Sequence, residues 1–207
     1  MDRRAFLQGG IVCASAWLLP ETMLASQSCS QVAMTPYGPV QRCTAGIKSL
    51  ALQPVESYQQ RNEWCWAACI SMVFAYYGHR VSQQRIVKEV WGRVVNMPGQ
   101  PGQILSDLNR GWDDDSGKPF TSRGDSLSAS NFNAVKDLEN DQPLIIGALG
   151  HAMVLTALTG DIHAQSGAWR IVEAVVRDPW PGRGGRRVLS SAEWRNINFA
   201  ARIRVEG

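Results

Sequence analysis

The run WCWAACISMVFAYY at residues 64–77 constrains the fold more than any other part of the chain. It would be apolar on every side of a helix, and such a helix must be enclosed by other elements because it has no face for water. Gly78 follows the run, and glycine commonly ends a helix. We therefore predict a central buried helix over 64–77.

Three further helical segments are predicted downstream. After the loop MPGQPGQ comes a short helical piece, ILSDLNR (104–110), and Ser130 opens the segment SNFNAVKDLEND (130–141). Ser82 can cap SQQRIVKEVWGRV (82–94), whose apolar residues fall on one helix face: Ile86, Val87, Val90, Trp91 and Val94.

The second half of the chain is typical of strands. Residues 143–149, 151–158, 169–178 and 201–205 are rich in β-branched residues and are bounded by Gly, Pro and Asp. Helices first and strands afterwards indicate an α+β fold, and we expect a cleft between a helical lobe and a β lobe.

Composition and charge exclude one class of partner. The 207 residues are an ordinary globular mixture, and the formal charge of +3 is too small and too scattered for a nucleic-acid surface. Residues 111–119, GWDDDSGKP, carry three aspartates whose spacing fits no metal-binding loop. We interpret this segment as a solvated loop and predict no metal.

The first 25 residues have the pattern of a twin-arginine signal peptide. Arg3 and Arg4 precede a mostly apolar stretch from Gly9 to Leu19, and a small residue stands at Ala25. The apolar stretch is shorter than the roughly 20 residues of a membrane span. We therefore expect no stable membrane anchor and a periplasmic or secreted protein of a bacterium.

Four cysteines remain when the signal peptide, with Cys13, is removed. The export compartment permits disulfides. If Cys65 is a reactive thiolate it stays free, and our first choice of pair is Cys29 with Cys43, in the lead-in at residues 26–58. That lead-in is either an inhibitory prosegment or a permanent strand.

Cys65 is the candidate nucleophile. It lies at the predicted start of the central helix, where the helix dipole and free backbone N–H groups favour a thiolate, and Asn62 is available as the cap. Cys69 lies one turn further into the apolar helix, so we expect it to be inert.

A thiolate nucleophile needs an imidazole and a group that orients the imidazole ring. The chain has three histidines. His79 is expected at the surface or at a helix end, and His163 in a polar hairpin connection. His151 stands at the head of an apolar strand, and Asp178 closes the next strand, so a strand pair could bring the two together.

An oxyanion donor is also required. Gln59 precedes Cys65 by six residues, and its amide could join the backbone N–H of Cys65 at a substrate carbonyl oxygen. Gln60 is the rival at one residue's offset.

The segment around Gln59, Cys65 and Trp66 resembles the active-site segment of papain-like cysteine proteases. WCWAAC resembles the AvrRpt2-type branch of secreted bacterial enzymes, and ACISMVFAYYG is similar to bacteriocin-processing peptidase domains. Those domains usually carry Asp and Gly where this chain has Trp64 and Trp66, which favours the AvrRpt2-type branch. GHAMVL and DPW match the histidine segment and the segment of the third triad member. Trp180 resembles the tryptophan that shields the equivalent hydrogen bond.

This resemblance implies a papain-like two-lobe domain over residues 59–207, with no metal or organic cofactor. Cys65 lies in its helical lobe, and His151 and Asp178 lie in its antiparallel β lobe. We predict an exported monomeric cysteine peptidase acting on a peptide or protein substrate. Two alternatives stay open: transglutaminase-like acyl transfer by the same triad, and a non-catalytic scaffold that only binds peptides.

Overall fold

The computed structural model describes residues 27–36, 38–48, 52, 58–126, 133–163, 166–182 and 185–207 of the protein. The proposed signal peptide and the opening Ser130 lie outside these residues. Five helices fall within them: α1 Cys65–Tyr76, α2 Gln83–Trp91, α3 Pro101–Leu108, α4 Ala134–Glu139 and α5 Ser191–Arg195.

The first five strands are β1 Ser28–Cys29, β2 Ala33–Thr35, β3 Gly38–Gly46, β4 Arg110–Asp113 and β5 Pro119–Ser126. The other five are β6 Leu144–Ala148, β7 His151–His163, β8 Trp169–Asp178, β9 Gly185–Val188 and β10 Ile197–Glu206. They form one antiparallel sheet in the order β1-β3-β7-β6-β10-β5-β4, in which β2 also pairs with β3, β8 pairs with β7 and β9 pairs with β8. The predicted α+β class is confirmed.

Helix α1 is the buried centre of the helical half, as its apolar sequence predicts. Phe74 is fully buried and packs edge-on against Trp112 and Phe120, with ring centroids 5.3 and 5.0 Å apart. Gly78, with φ of 91°, follows the end of the helix. The packing of the helix therefore sets where its first residue, Cys65, lies relative to the sheet.

Helix boundaries differ from the predictions by up to a few residues, and two of the differences have a clear cause. Helix α2 ends at Trp91 and not at Val94, because Gly92 adopts a left-handed conformation. Helix α3 begins at Pro101, three residues before the predicted start, because proline suits the first helical turn and the Gln100 and Gln103 side chains form a capping box.

The aspartate-rich segment is a hairpin turn between β4 and β5. Asp114 is buried and accepts hydrogen bonds from the backbone N–H groups of Ser116 and Lys118, so the prediction of a solvated loop is wrong for this residue. The hairpin also covers His79, which is 3% exposed and stacks on Phe120. The expected surface position of His79 is therefore wrong. Its expected place at a helix end is right, because its backbone N–H donates to the carbonyl of Phe74 in the last turn of α1.

The lead-in contributes strands to the main sheet. Strand β3 pairs with β7, and the disulfide between Cys29 and Cys43 joins β1 to β3. The predicted disulfide pair is confirmed. The order of helices first and strands afterwards is corrected, because β1–β3 precede the helices and β4–β5 lie among them.

The predicted strands of the second half are present. Strand β8 has the predicted bounds, whereas β7 continues to His163 and β10 begins at Ile197. Within the part of the chain that the structure describes, no helix is long and apolar enough to cross a membrane.

Candidate active site

Cys65 is the first residue of α1 and is half-buried. The N-cap is Trp64, and no side chain caps the helix, so the expectation that Asn62 caps it is wrong. Trp64 is buried instead, and its indole Nε1 donates to the carbonyl of Val95 at 2.7 Å. The uncapped first turn leaves backbone N–H groups beside Cys65 available to an anionic group.

A tight hairpin turn positions His151. The ends of β6 and β7 pair through Ala148 and His151, so only Leu149 and Gly150 form the turn, with φ of 52° and 77°. Positive φ at both central residues is the pattern of a type I′ turn. Leucine is unusual there, and its side chain is exposed over the cleft.

His151 and Asp178 are joined by a 2.7 Å contact between Nε2 and Oδ1. Asp178 closes β8, the neighbour of β7, so the pairing of these strands brings the carboxylate beside the ring, as predicted. The Asp178 side chain is 4% exposed and also accepts the backbone N–H of Trp180 at 2.9 Å. A carboxylate held by several donors is a fixed acceptor for an imidazole.

His151 and Asp178 each stabilise the charged form of the other. Burial lowers the pKa of His151, but the hydrogen bonds to Asp178 and Cys65 and the charges of these two groups outweigh it and raise the pKa to about 9. Burial raises the pKa of Asp178, but the hydrogen bonds from His151, Trp180 and Arg187 bring it down to about 2. At neutral pH the pair is therefore imidazolium and carboxylate.

Cys69 is fully buried behind Cys65. Burial and the nearby charges of Cys65 and Asp178 hold the pKa of its thiol well above the ordinary range. It has neither the access nor the ionisation of a nucleophile.

Trp180 contacts the ring of His151 edge-on, with centroids 5.7 Å apart. It follows the short segment Asp178–Pro179 and is 38% exposed at the cleft. It can therefore screen one side of the imidazole from water.

Gln59 is buried beside the Cys65 turn, but its amide has other partners in this structure. Nε2 donates to the carbonyls of Arg61 and Asn62, at 3.0 and 2.7 Å. The backbone N–H of Gln59 donates to the carbonyl of Pro179 at 2.8 Å and ties this loop to the Asp178 segment. Gln59 does not line the cleft, whereas Asn62 does.

Two residues beside Asp178 were not anticipated. Arg187 donates from Nε to Asp178 Oδ2 at 2.7 Å, and Glu193 contacts the outer nitrogens of the same guanidinium. A sequence signal exists for Glu193 alone, because SSAE at 190–193 is a capping box and Ser190 does cap α5. Nothing local indicates that β9 returns Arg187 to Asp178.

A cleft of about 1060 Å³ runs between the two halves of the molecule, with Cys65, His151 and Asp178 in its wall. A volume of this size is at the upper end for binding sites of small ligands. It is also lined by apolar and small residues from both halves: Trp66, Pro98, Gly99, Pro101, Ile104, Gly147, Ala148, Ala152 and Phe199.

The other candidate residues lie elsewhere. Asp161 accepts hydrogen bonds from Arg42 and Arg170, and it is ten residues along β7 from His151, or about 33 Å at the rise of a strand. His163 ends the same strand. Among the described residues, no group of three His, Cys, Asp or Glu side chains could hold a metal ion.

A cysteine at the start of a buried helix, facing a histidine and an aspartate on adjacent strands across a cleft, defines a papain-like cysteine peptidase. The chain belongs to the Peptidase_C39 like family, which it matches over residues 52–201. The match supports the second of the two resemblances, whereas the favoured AvrRpt2-type likeness stays a prediction. No curated protein matches the chain.

Three of the solved structures that resemble this chain are distant likenesses. A double glycine motif protease from an AMS/PCAT transporter, in complex with the leader peptide, is 18% identical over 72% of this chain and 88% of its own, with a TM-score of 0.44. The peptidase domain of Streptococcus ComA is 16% identical over 72% and 96%, with a TM-score of 0.45. UfSP from C. elegans is 13% identical over 86% and 34%, with a TM-score of 0.46.

Proposed function

We propose that this cysteine peptidase hydrolyses peptide bonds with Cys65 as nucleophile, His151 as proton carrier and Asp178 as the group that orients the ring. The observation that supports this most is the 2.7 Å hydrogen bond between His151 and Asp178, in a cleft wall that also holds Cys65. Because Nε2 is engaged by the carboxylate, Nδ1 is the nitrogen that serves the sulfur.

The first half of the reaction forms a thioester. The Cys65 thiolate bonds to the peptide carbonyl carbon, and the carbonyl oxygen becomes an oxyanion. The His151 imidazolium then gives its proton to the leaving nitrogen, the C–N bond breaks, and the amine departs. Asp178 keeps the ring in position and stabilises its charged form.

The second half returns the enzyme to its starting state. Water attacks the thioester carbonyl and passes a proton to His151, the C–S bond breaks, and the acid product leaves. If a primary amine takes the place of water the product is an amide, which is the acyl-transfer alternative. Masses of the products formed with and without added primary amine separate the two reactions.

We also propose that Gln59 donates to the oxyanion together with the backbone N–H of Cys65. Its position beside the Cys65 turn supports this role. The amide must exchange its contact with the Asn62 carbonyl for the oxyanion, a tightening that occurs in many sites only when substrate binds.

Incubation of the protein with a mixed peptide library, read by mass spectrometry, tests the proposal. Wild type should cut peptides, whereas Cys65→Ala and His151→Ala should not, and Cys69→Ala should cut as wild type does. Cutting by Cys65→Ala would overturn the assignment. Binding of peptides without cutting by wild type would favour the peptide-binding scaffold. We expect the active species to be a monomer.

Export by the twin-arginine route is part of the proposal. The arginine pair at residues 3 and 4 and the confirmed Cys29–Cys43 disulfide support it, since disulfides persist in oxidising compartments. Replacement of both arginines by lysine should keep precursor in the cytoplasm, and normal export of that variant would exclude this route.

A further inference from the structure

Arg187 donates a hydrogen bond to the carboxylate of Asp178. The Nε atom of Arg187 lies 2.7 Å from Oδ2, the carboxylate oxygen that His151 does not use. Arg187 stands on β9 opposite Val176, two residues before Asp178, so strand pairing fixes its reach. The guanidinium is half-buried, which preserves the strength of a charge-assisted hydrogen bond.

Arg187 is in turn held by Glu193. Its outer nitrogens contact Oε2 and Oε1 of Glu193 at 3.1 and 2.6 Å, a two-point contact that fixes the plane of the guanidinium. Glu193 is anchored by the backbone N–H and hydroxyl of Ser190, both at 2.8 Å from Oε2. One connected chain therefore runs from His151 through Asp178 and Arg187 to the first turn of α5.

We propose that Arg187 and Glu193 are a positioning pair, which holds the Asp178 carboxylate against His151 and sets how strongly that carboxylate stabilises the imidazolium. This inference rests on the proposed triad. Both residues also line the cleft, but the proposed role acts through Asp178 and needs no contact with substrate.

The signs of the charges make the two members act in opposite directions. Arg187 offsets part of the negative charge of Asp178, and so limits its stabilisation of imidazolium. Glu193 offsets Arg187, and so restores part of that stabilisation. Among the described residues, the other groups that interact with His151 and Asp178 are Cys65 and Cys69 of α1 and the N–H of Trp180, and these stay the same in both variants below.

The test is the titration of His151 in Arg187→Gln and Glu193→Gln, measured by NMR of ¹³C-labelled histidine and assigned with His151→Gln. Arg187→Gln should raise the pKa of His151, and Glu193→Gln should lower it. We expect shifts of roughly 0.5 to 1 pH unit, because charges acting through an intervening group have less effect than the 1 to 3 units of direct neighbours. Glutamine at 193 keeps the capping box, so the start of α5 survives.

Peptide hydrolysis gives the second readout. Arg187→Gln should lower kcat by about 10- to 100-fold, because one hydrogen bond between charged groups is lost, and Arg187→Lys should recover part of that loss. Arg186→Gln is the matched control: its exposed side chain lies one residue away on the same strand and should leave titration and rate unchanged.

The outcomes separate this inference from the triad itself. If wild type has no peptidase activity, the proposed function fails, but the histidine titration still tests the pair. If both variants titrate as wild type does, or both shift in one direction, the pair has only a structural role and the inference is wrong. If Arg187→Gln does not fold, the downward shift in Glu193→Gln decides.

Discussion

Nε2 of His151 lies 2.7 Å from Oδ1 of Asp178, so the carboxylate engages one nitrogen of the ring and not Nδ1. The pairing of β8 with β7 brings the two residues together. Nδ1 is therefore the nitrogen that the proposed reaction uses for proton exchange with Cys65.

Iodoacetamide at about pH 6 should label Cys65 before Cys69. Cys65 is half-buried at the start of α1 beside the charged ring of His151, whereas Cys69 is fully buried and burial raises the pKa of its thiol. An ordinary thiol, with a pKa near 8.5, is scarcely ionised at that pH. Peptide mapping of the alkylated protein measures the ratio, and equal labelling of both cysteines would mean that the wrong sulfur was chosen.

Asp178→Ala should lower kcat sharply, by up to roughly 10⁴-fold, which is the loss when asparagine replaces the aspartate of a serine protease triad. Its loss should also lower the pKa of His151 from about 9, because the partner of the imidazolium is removed. The alkaline limb of the pH–rate profile should then move to lower pH. Asp161→Ala, at the distant end of β7, is the control and should keep full activity. If Asp161→Ala lost activity and Asp178→Ala kept it, the orienting role would belong to Asp161.

Gln59→Ala should lower kcat with KM nearly unchanged, because an oxyanion contact forms mainly in the transition state. One such donor is worth about 100- to 1000-fold in rate. Alkylation of Cys65 should persist, since displacement of iodide forms no oxyanion.

Gln60→Ala should be near wild type, and a large loss in that variant alone would show that the six-residue spacing was misleading. Loss in Asn62→Ala instead would assign the donor to the side chain that lines the cleft.

Cys29→Ser with Cys43→Ser should destabilise the protein without changing the Cys65 site. The disulfide closes a segment with a sequence separation of 14 residues, and closure of such a loop is worth about 3 kcal/mol in the chain-entropy account. Thermal unfolding of the double variant, and of wild type with and without reductant, measures the effect. Unchanged stability would show that the β1–β3 segment contributes little to the fold.

Leu149→Gly should stabilise the protein. A non-glycine residue in the left-handed region costs about 1 to 2 kcal/mol, and the exposed Leu149 side chain recovers little of this by burial. The chain entropy of glycine opposes the gain by about 0.5 to 1 kcal/mol, which leaves a small rise in Tm. Leu149→Ala removes the same side chain but keeps the backbone strain, so a rise in both variants would contradict this explanation.

The sequence predicts the parts of the site that depend on local position. Cys65 opens an apolar helix, His151 opens a strand and Asp178 closes one, and each position can be read within about ten residues. Arg187 could not be found in this way, because its role depends on where β9 pairs with β8. The amide contacts of Gln59 likewise depend on the path of a loop that has no periodic pattern.

The fold, like the site, could be predicted where it depends on local sequence and not where it depends on distant partners. Helix α1 and strand β8 were predicted nearly to the residue, since an apolar run and a β-branched run need no distant partner to be recognised. The errors at His79 and Asp114 share one cause, which is that the β4–β5 hairpin buries polar residues whose sequence is that of a turn. A strand in the lead-in stayed one of two alternatives, because β3 is recognised only through its distant partner β7.

The pairing of β3 with β7 also has a kinetic consequence. The Thr44 and Thr159 hydroxyls lie 2.9 Å apart across the two strands, although 115 residues separate them in sequence. Contacts between residues so far apart require a long loop to close and slow the folding reaction. During synthesis, β3 leaves the ribosome well before β7 has been made, so the edge of β3 that pairs with β7 has no partner during this time. The edge of β3 that faces β7 is therefore completed late, and until then the nascent chain exposes an unpaired strand edge of the kind that promotes aggregation.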